Sequence, residues 1–328
     1  MNVRNIIDLI INAINNNTKF LLYDDMILIG ENTSGKSNII KGVIKGLKDD
    51  KQIYFIDSRN RIIPTKGNII DDEFSKFKIG SIIECRIKND NFNKRDVFSD
   101  NSGEEVILGE LIKNNSKYIQ LFKEVLNIEM TYEKSIDLVQ DDVEQIYIDK
   151  TNLREISSGV QSKLRILMEV NFASENNCKI VFIDEFNNNL DYKASADFFI
   201  KLRQKYPNIR FIITSHDIYT LKGVSNADIV KIYKGFEKIE SNICEIFDIN
   251  DLDNLEMIDR KLFSGSTERN QKDKKDIILG NALKLILSGN NLDSNIYDEL
   301  CAIDKDDLTL RQKVVRNYIL ERLKQIWN

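Results

Sequence analysis

The sequence of 328 residues is 42 % hydrophobic and 30 % charged, with 47 Lys+Arg against 52 Asp+Glu and a formal net charge of −5. That apolar content suffices for a sizeable globular core, and the acidic balance excludes a bulk basic nucleic-acid binder while leaving room for a local basic patch. A single histidine, His216, and two prolines, Pro64 and Pro207, exclude or disfavour zinc sites built on paired histidines, HNH-type nuclease sites and proline-rich recognition segments.

The N-terminal segment places Ile6, Ile7, Ile10, Ile11 and Ile14 at helical spacing, interrupted by Asp8 and followed by no small-residue cleavage site, so it reads as an amphipathic helix. MILIG (26–30) reads as a strand and SNIIKGVIKGLK (37–48) as the helix after it. IYFIDS (53–58) and SIIECRIK (81–88) read as strands, the polar stretch 88–105 as a surface loop, and 105–127 as helical. Then come a helix in SKLRILMEVNFAS (162–174), a strand in KIVFID (179–184), a helix in ADFFIKLRQKYP (196–207) and a strand in RFIITS (210–215). These strands lack polar alternation, as strands buried on both faces of a mostly parallel sheet do, and helices lie between them, so the fold class is α/β.

Beyond residue 245 the pattern turns helical, in 252–263, 274–289 and 308–327. The expected organisation is therefore an α/β domain over 1–245 and a C-terminal helical appendage over 246–328. Cys85, Cys178, Cys244 and Cys301 are scattered with no CxxC pair, which points to free thiols in a reducing, cytoplasmic setting. No run approaches the roughly 18 apolar residues of a membrane span, so none is expected.

Chemistry enters at GENTSGKS (30–37), which matches GxxxxGK[ST] and sits between an expected strand and helix. Gly30 and Gly35 would let backbone N–H groups cradle phosphate oxygens at a helix N-terminus, Lys36 would neutralise the outer phosphates, and the Ser37 hydroxyl would ligate Mg2+. A second element, IVFIDE (180–185), brings Asp184 and Glu185 to a strand end. Asp184 would hold Mg2+ through water and Glu185 would polarise the attacking water. A third, ISSGVQ (156–161), directly precedes a helical run, where Ser157 or Ser158 would also serve as an ordinary helix cap.

With NNNLD (187–191) and TSH (214–216), these elements resemble the ABC-type P-loop ATPases in motif, order and spacing. Asp184 stands 184 − 159 = 25 residues after Gly159, and His216 stands 216 − 184 = 32 after Asp184. The resemblance implies an ABC-ATPase head, with a core sheet and a short helical lobe at about 105–175, and ATP with Mg2+ as its cofactors. It places Gly30, Glu31, Asn32, Thr33, Ser34, Gly35, Lys36, Ser37 and Asn38 around the phosphates. Ser157, Ser158, Gly159 and Gln161 would be the signature loop, contacting the γ-phosphate held by the other subunit of a homodimer. Asp191 would belong to the D-loop, and His216 would be the switch histidine beside the catalytic Glu185 and Lys36.

The spelling GENTSGKSNI is similar to the SMC/RecF/OLD-like soluble branch (AAA_21/AAA_15-like), whose members maintain DNA or power bacterial anti-phage systems, often beside a nuclease. That implies a separate effector or nuclease protein as partner, with DNA as a further candidate and the C-terminal helices as the docking surface. The sequence departs from the branch in three ways. Only 159 − 36 = 123 residues separate Lys36 from Gly159, too few for a long coiled coil; the chain begins with a helix; and Thr33 replaces the usual glycine or asparagine.

No Q-loop glutamine stands out. Tyr23 and Phe20 are candidates for adenine stacking, with a place in a strand core as the favoured reading. Arg59 and Arg61 in DSRNR (57–61) read either as phosphate contacts or as an exposed salt-bridged turn. Asp251, Asp253 and KDKK (272–275) read as solvated charge. Two other functions remain open at this point: the ATPase subunit of a membrane transporter, and a scaffold held together by ATP without hydrolysis.

Overall fold

A computed structural model describes residues 2–47, 52–59, 61–63, 74–88, 92, 96–98, 106–135, 143–217, 220, 224, 226–233, 244–248, 274–287, 294–303, 308 and 310–327. The architecture is α/β with a mostly parallel central sheet. The chain divides into two compact units, one formed by Met1–Lys48, Thr214–Ile218 and Val224–Asn328, the other by Asp49–Ile213 and Tyr219–Gly223.

The first unit opens with helix α1 (Val3–Asn15), whose N-terminus is capped by the Asn2 side chain accepting from the Asn5 N–H at 2.9 Å. Strand β1 (Asp25–Ile29) is buried along its whole length and leads through the loop 30–35 to α2 (Lys36–Gly46). The buried α1 face, Val3, Ile6, Leu9, Ile10, Ala13 and Ile14, follows helical spacing, and α1 packs on α2.

The second unit begins with β2 (Ile53–Ile56) and α3 (Ile79–Ile87), followed by α4 (Val106–Lys113) and α5 (Asn115–Leu126). Next come β3 (Met130–Ser135), β4 (Val143–Ile148) and β5 (Thr151–Asn152), joined antiparallel into a small sheet. Helix α6 (Ser158–Glu175), strand β6 (Ile180–Ile183), helix α7 (Tyr192–Lys205) and strand β7 (Arg210–Ser215), of which Thr214 and Ser215 are assigned to the first unit, complete the run. Strand β6 pairs parallel with β2, Ile53 opposite Ile180, and with β7, Ile183 opposite Ile213.

Back in the first unit, β8 (Ala227–Ile232) pairs parallel with β1, and β9 (Cys244–Asp248) pairs antiparallel with β8. Residue 245 therefore lies inside a strand, and the sheet runs to Asp248, beyond the expected boundary. Helices α8 (Lys274–Leu287), α9 (Ser294–Ala302) and α10 (Leu310–Trp327) follow. They share an apolar core that includes Leu279, Ala282, Leu283, Leu300, Ile319 and Leu323, and α1 touches α8.

Two sequence expectations give way. SIIECRIK is not a strand but the body of α3: Ile79, Ile82, Ile83 and Arg86 are buried at intervals of three and four, a helical face that a short apolar run conceals. The segment 105–175 holds not only helices but the three-stranded sheet β3–β5, whose cue is alternation in EQIYI, where buried Ile146 and Ile148 alternate with half-buried Gln145 and Tyr147. The expected helix at 252–263, Asp251, Asp253, Lys272 and most of the loop 88–105 lie outside the described residues.

Candidate functional site

In the first unit the site residues gather where β1 meets α2. The loop turns through two left-handed residues, Thr33 at φ 67 and Gly35 at φ 96, and Gly35 is the N-cap of α2. The glycine makes the second turn without the steric cost a Cβ would bring. The first N–H groups of α2, those of Lys36, Ser37 and Asn38, precede the first i to i−4 bond, which Ile39 makes to the Gly35 carbonyl, and sit at the positive end of the helix dipole, a setting that favours an anion.

Lys36 is 6 % exposed and bends back over the loop, its Nζ donating to the carbonyls of Gly30 at 2.7 Å and Glu31 at 2.8 Å. Glu31, Asn32, Thr33 and Asn38 face solvent, while Ser34 is buried. Thr33 is β-branched, and its left-handed backbone carries strain that asparagine tolerates better. Thr33→Asn is expected to stabilise the protein by about 1 kcal/mol, read as a small rise in melting temperature; a fall would show that the Thr33 side chain contributes more than its backbone costs.

The segment entering β1 is fixed by a residue that the sequence did not single out. Asp228 on β8 accepts from the N–H groups of Leu21, Leu22 and Tyr23 at 3.0, 3.1 and 3.2 Å. Phe20 is buried, as the core reading requires, and Tyr23 is half-buried. His216, exposed and directly after β7, belongs to this unit too, beside a turn in which the Asp217 N–H donates to Ser215 Oγ at 3.0 Å.

The second unit brings together three segments. The first is the turn after β6. Asp184 is 0 % exposed; its N–H donates to the Ile56 carbonyl at 3.0 Å and its own carbonyl accepts from Arg61 Nη2. Glu185 follows at φ 48, and the Asn188 N–H closes the turn onto the Glu185 carbonyl at 2.8 Å. Asp191 is the N-cap of α7, its carboxylate accepting from the Ala194 N–H at 2.8 Å.

The second segment is the start of α6. Ser157 and Ser158 are exposed, and Ser157 Oγ caps the helix by accepting from the Val160 N–H at 3.4 Å. Gly159 is required by close approach, because a Cβ there would lie 2.7 Å from the Asn189 carbonyl oxygen. Ser162 Oγ donates to the Asn188 carbonyl at 3.3 Å. Gln161 is turned inward, accepting from the Ile63 N–H at 3.1 Å and donating to the Ile156 carbonyl at 3.3 Å. The third segment is the loop 58–63, whose Ser58 carbonyl accepts from Asn188 Nδ2 at 2.9 Å.

Ser58, Arg61, Asn188 and Ser162 were thus missed as ties between the loops, since side chain to main chain bonds across distant loops obey no spacing rule. Arg61 also corrects an expectation. It is neither an exposed turn residue nor a surface phosphate contact but is fully buried, whereas Arg59 is exposed.

Behind these loops lies a buried ionic cluster. Glu169 on α6, 0 % exposed, accepts from Tyr54 Oη at 2.8 Å, Arg86 Nη1 at 2.8 Å and Arg165 Nε at 2.9 Å. Arg86 also donates to the Phe55 carbonyl and lies 3.4 Å from Asp57, and Arg165 reaches Asp96 at 2.9 and 3.0 Å. Burial by itself would raise the Glu169 carboxyl, but Arg86 and Arg165 beside it bring it down to about 2. Burial pushes the Arg61 guanidinium down to about 10 against the pull of Asp57, Glu169 and Asp184, so it stays charged at neutral pH.

Among the described residues no group of three or more His, Cys, Asp or Glu side chains is placed to hold a metal ion. Nucleotide-bound Mg2+ needs no such cluster, since it keeps several waters and takes phosphate oxygens with one or two protein oxygens. No described helix is long and apolar enough to cross a membrane.

No family model and no curated protein matches the chain. Among solved structures, the chain is similar to an SmcHead bound to the C-winged helix domain of ScpA, at 9 % identity over 43 % of this chain and 44 % of that one, TM-score 0.32. It is similar to the SMC head domain from Thermotoga maritima at 14 % identity over 69 % and 91 %, TM-score 0.36. Similarity extends to cbiO1 from Clostridium perfringens, part of the ABC transporter complex cbiONQ, at 14 % identity over 73 % and 83 %, TM-score 0.36. The chain spans less than half the length of the ScpA-bound SmcHead, and 35 % of an Smc head domain with an extended coiled coil from Pyrococcus furiosus.

Proposed function

We propose that this chain is an ABC-type P-loop ATPase that binds and hydrolyses ATP with Mg2+. The observation that carries the reading is the loop 30–35, which turns through Thr33 and Gly35 into the open N-terminus of α2 with Lys36 held across its mouth. This arrangement supports the reading, because an open helix N-terminus behind a turning loop suits a phosphate.

In this reading Gly30–Asn38 bind the phosphates. Lys36 trades its two loop carbonyls for phosphate oxygens, and Ser37 and Asp184 are the oxygen donors toward Mg2+, which supplies charge neutralisation when bound. Glu185 orients and polarises the attacking water, and His216 is the switch residue. Ser157, Ser158 and Gly159, at an exposed helix N-terminus, address the phosphate of a second copy, so ATP joins two subunits and hydrolysis loosens them. Gln161 and Asp191 support these loops through their inward and capping bonds.

The finer reading rests on the sequence resemblance. It is a cytoplasmic ATPase of the SMC/RecF/OLD-like branch in a DNA-linked or anti-phage assembly, with a separate effector docked on the C-terminal helices. The net charge of −5 favours a protein partner over broad DNA contact.

The test is ATP binding and turnover by the purified chain with Mg2+. Glu185→Gln is expected to keep ATP affinity, lose turnover by about 100-fold or more, and accumulate as an ATP-bound dimer in gel filtration. Turnover at the wild-type rate would remove Glu185 from the chemistry, and binding without any turnover by the wild type would favour the scaffold reading.

A further inference from the structure

Glu185 leaves β6 in the left-handed region, which a glutamate adopts only where its surroundings hold it. Asp184 shows how it is held. Its N–H completes the pairing with β2 at Ile56, but its carbonyl accepts from Arg61. Because the peptide is planar, fixing that carbonyl fixes the plane of the Asp184–Glu185 peptide and with it the Glu185 Cα, from which the φ of 48 then sets how the side chain departs.

Arg61 lies between two such ties. Its loop is pinned on one side by Asn188 Nδ2 on the Ser58 carbonyl and on the other by the Ile63 N–H on Gln161. Its guanidinium is fully buried, and Nε and Nη1 have no hydrogen-bond partner among the described residues. Keeping an incompletely bonded cation inside costs more than a neutral donor would.

We propose that Arg61 is the positioning residue of the Asp184–Glu185 pair: its bond to the Asp184 carbonyl aims the Glu185 carboxylate. This rests on the ATPase reading above and adds a residue to it. Arg61 touches neither nucleotide nor water in this role; it acts through the peptide that it holds.

The experiment uses the full chain with Arg61→Met and Arg61→Lys, measuring ATP affinity, turnover and hydrogen exchange of the amides of 185–190. Arg61→Met is expected to bind ATP within about 3-fold of wild type and to lose turnover by about 100-fold, with faster exchange at 185–190. Arg61→Lys, which keeps a charged donor, is expected to recover part of the turnover. Should Arg61→Met fail to fold, Arg61→Lys carries the test alone, with lowered turnover at unchanged affinity expected. Turnover falling only in step with the folded fraction, or unchanged exchange at 185–190, overturns the proposal. A wild-type chain that binds no ATP defeats the parent reading instead; exchange at 185–190 then decides the tie, faster supporting it and unchanged overturning it.

Discussion

Replacing Glu169 with alanine is expected to destabilise the protein by about 3–5 kcal/mol, the usual cost of removing one member of a buried ion pair. The carboxylate is shared by Tyr54, Arg86 and Arg165, so its loss leaves two buried guanidinium groups and a phenol short of an acceptor. Asp57 and Asp96 remain beside the arginines, which keeps the loss within that range rather than above it. A thermal melt followed by circular dichroism should show a drop of roughly 10 °C.

Acid should reproduce part of the effect. The folded carboxyl titrates at about 2 and an unperturbed one at 4.5. Its stabilisation is therefore complete above the higher value and drains as pH falls toward the lower one, about 3 kcal/mol in all. Glu169→Gln should flatten that part of the stability profile. An unchanged melt in Glu169→Ala would mean that the cluster contributes no net cohesion.

The second large effect is at Lys36. Lys36→Ala is expected to lower ATP affinity by at least about 100-fold, because it removes a charge-assisted contact to phosphate worth roughly 3 kcal/mol. The mutation also unties the loop, since the Gly30 and Glu31 carbonyls lose their common donor. Lys36→Arg should not rescue binding, because a planar fork cannot follow the path of a lysine stem over a tight loop. Calorimetric titration with ATP and Mg2+ separates the outcomes; affinity equal to wild type would dispose of the phosphate site.

Much of the fold was legible because buried parallel strands are written as short unbroken β-branched runs. MILIG, KIVFID and RFIITS all became strands at those positions, and the helices between them followed. SIIECRIK failed because a short apolar run is compatible with a strand or a buried helix face, and only packing decides. The sheet β3–β5 was missed because β3 is mostly polar, β5 has only two residues, and the alternation in β4 is confined to a few positions.

Arg61 shows the same division within the site. In sequence it is one of two arginines in a charged turn, whereas in the structure Arg59 faces solvent and Arg61 is fully buried with its guanidinium on the Asp184 carbonyl. Nothing in local spacing separates the two.

The sequence by itself determined the α/β class, the phosphate-loop pattern 30–37, the carboxylates at the end of β6 and the helical character of 274–287 and 310–327. Each of these is a local property, set by side-chain periodicity or by the residue types that a turn demands. Only the tertiary structure decided that Lys36 bends onto its own loop, that Gln161 turns inward to Ile63, that Glu169 binds two arginines, and that Arg61 holds Asp184. Apart from the Lys36 bond, which spans a single tight turn, and the Arg165–Glu169 pair, which lies one turn apart on α6, these contacts join different elements of the fold. Their energies come from desolvation and hydrogen bonding in a shared interior, which exists only once those elements have packed.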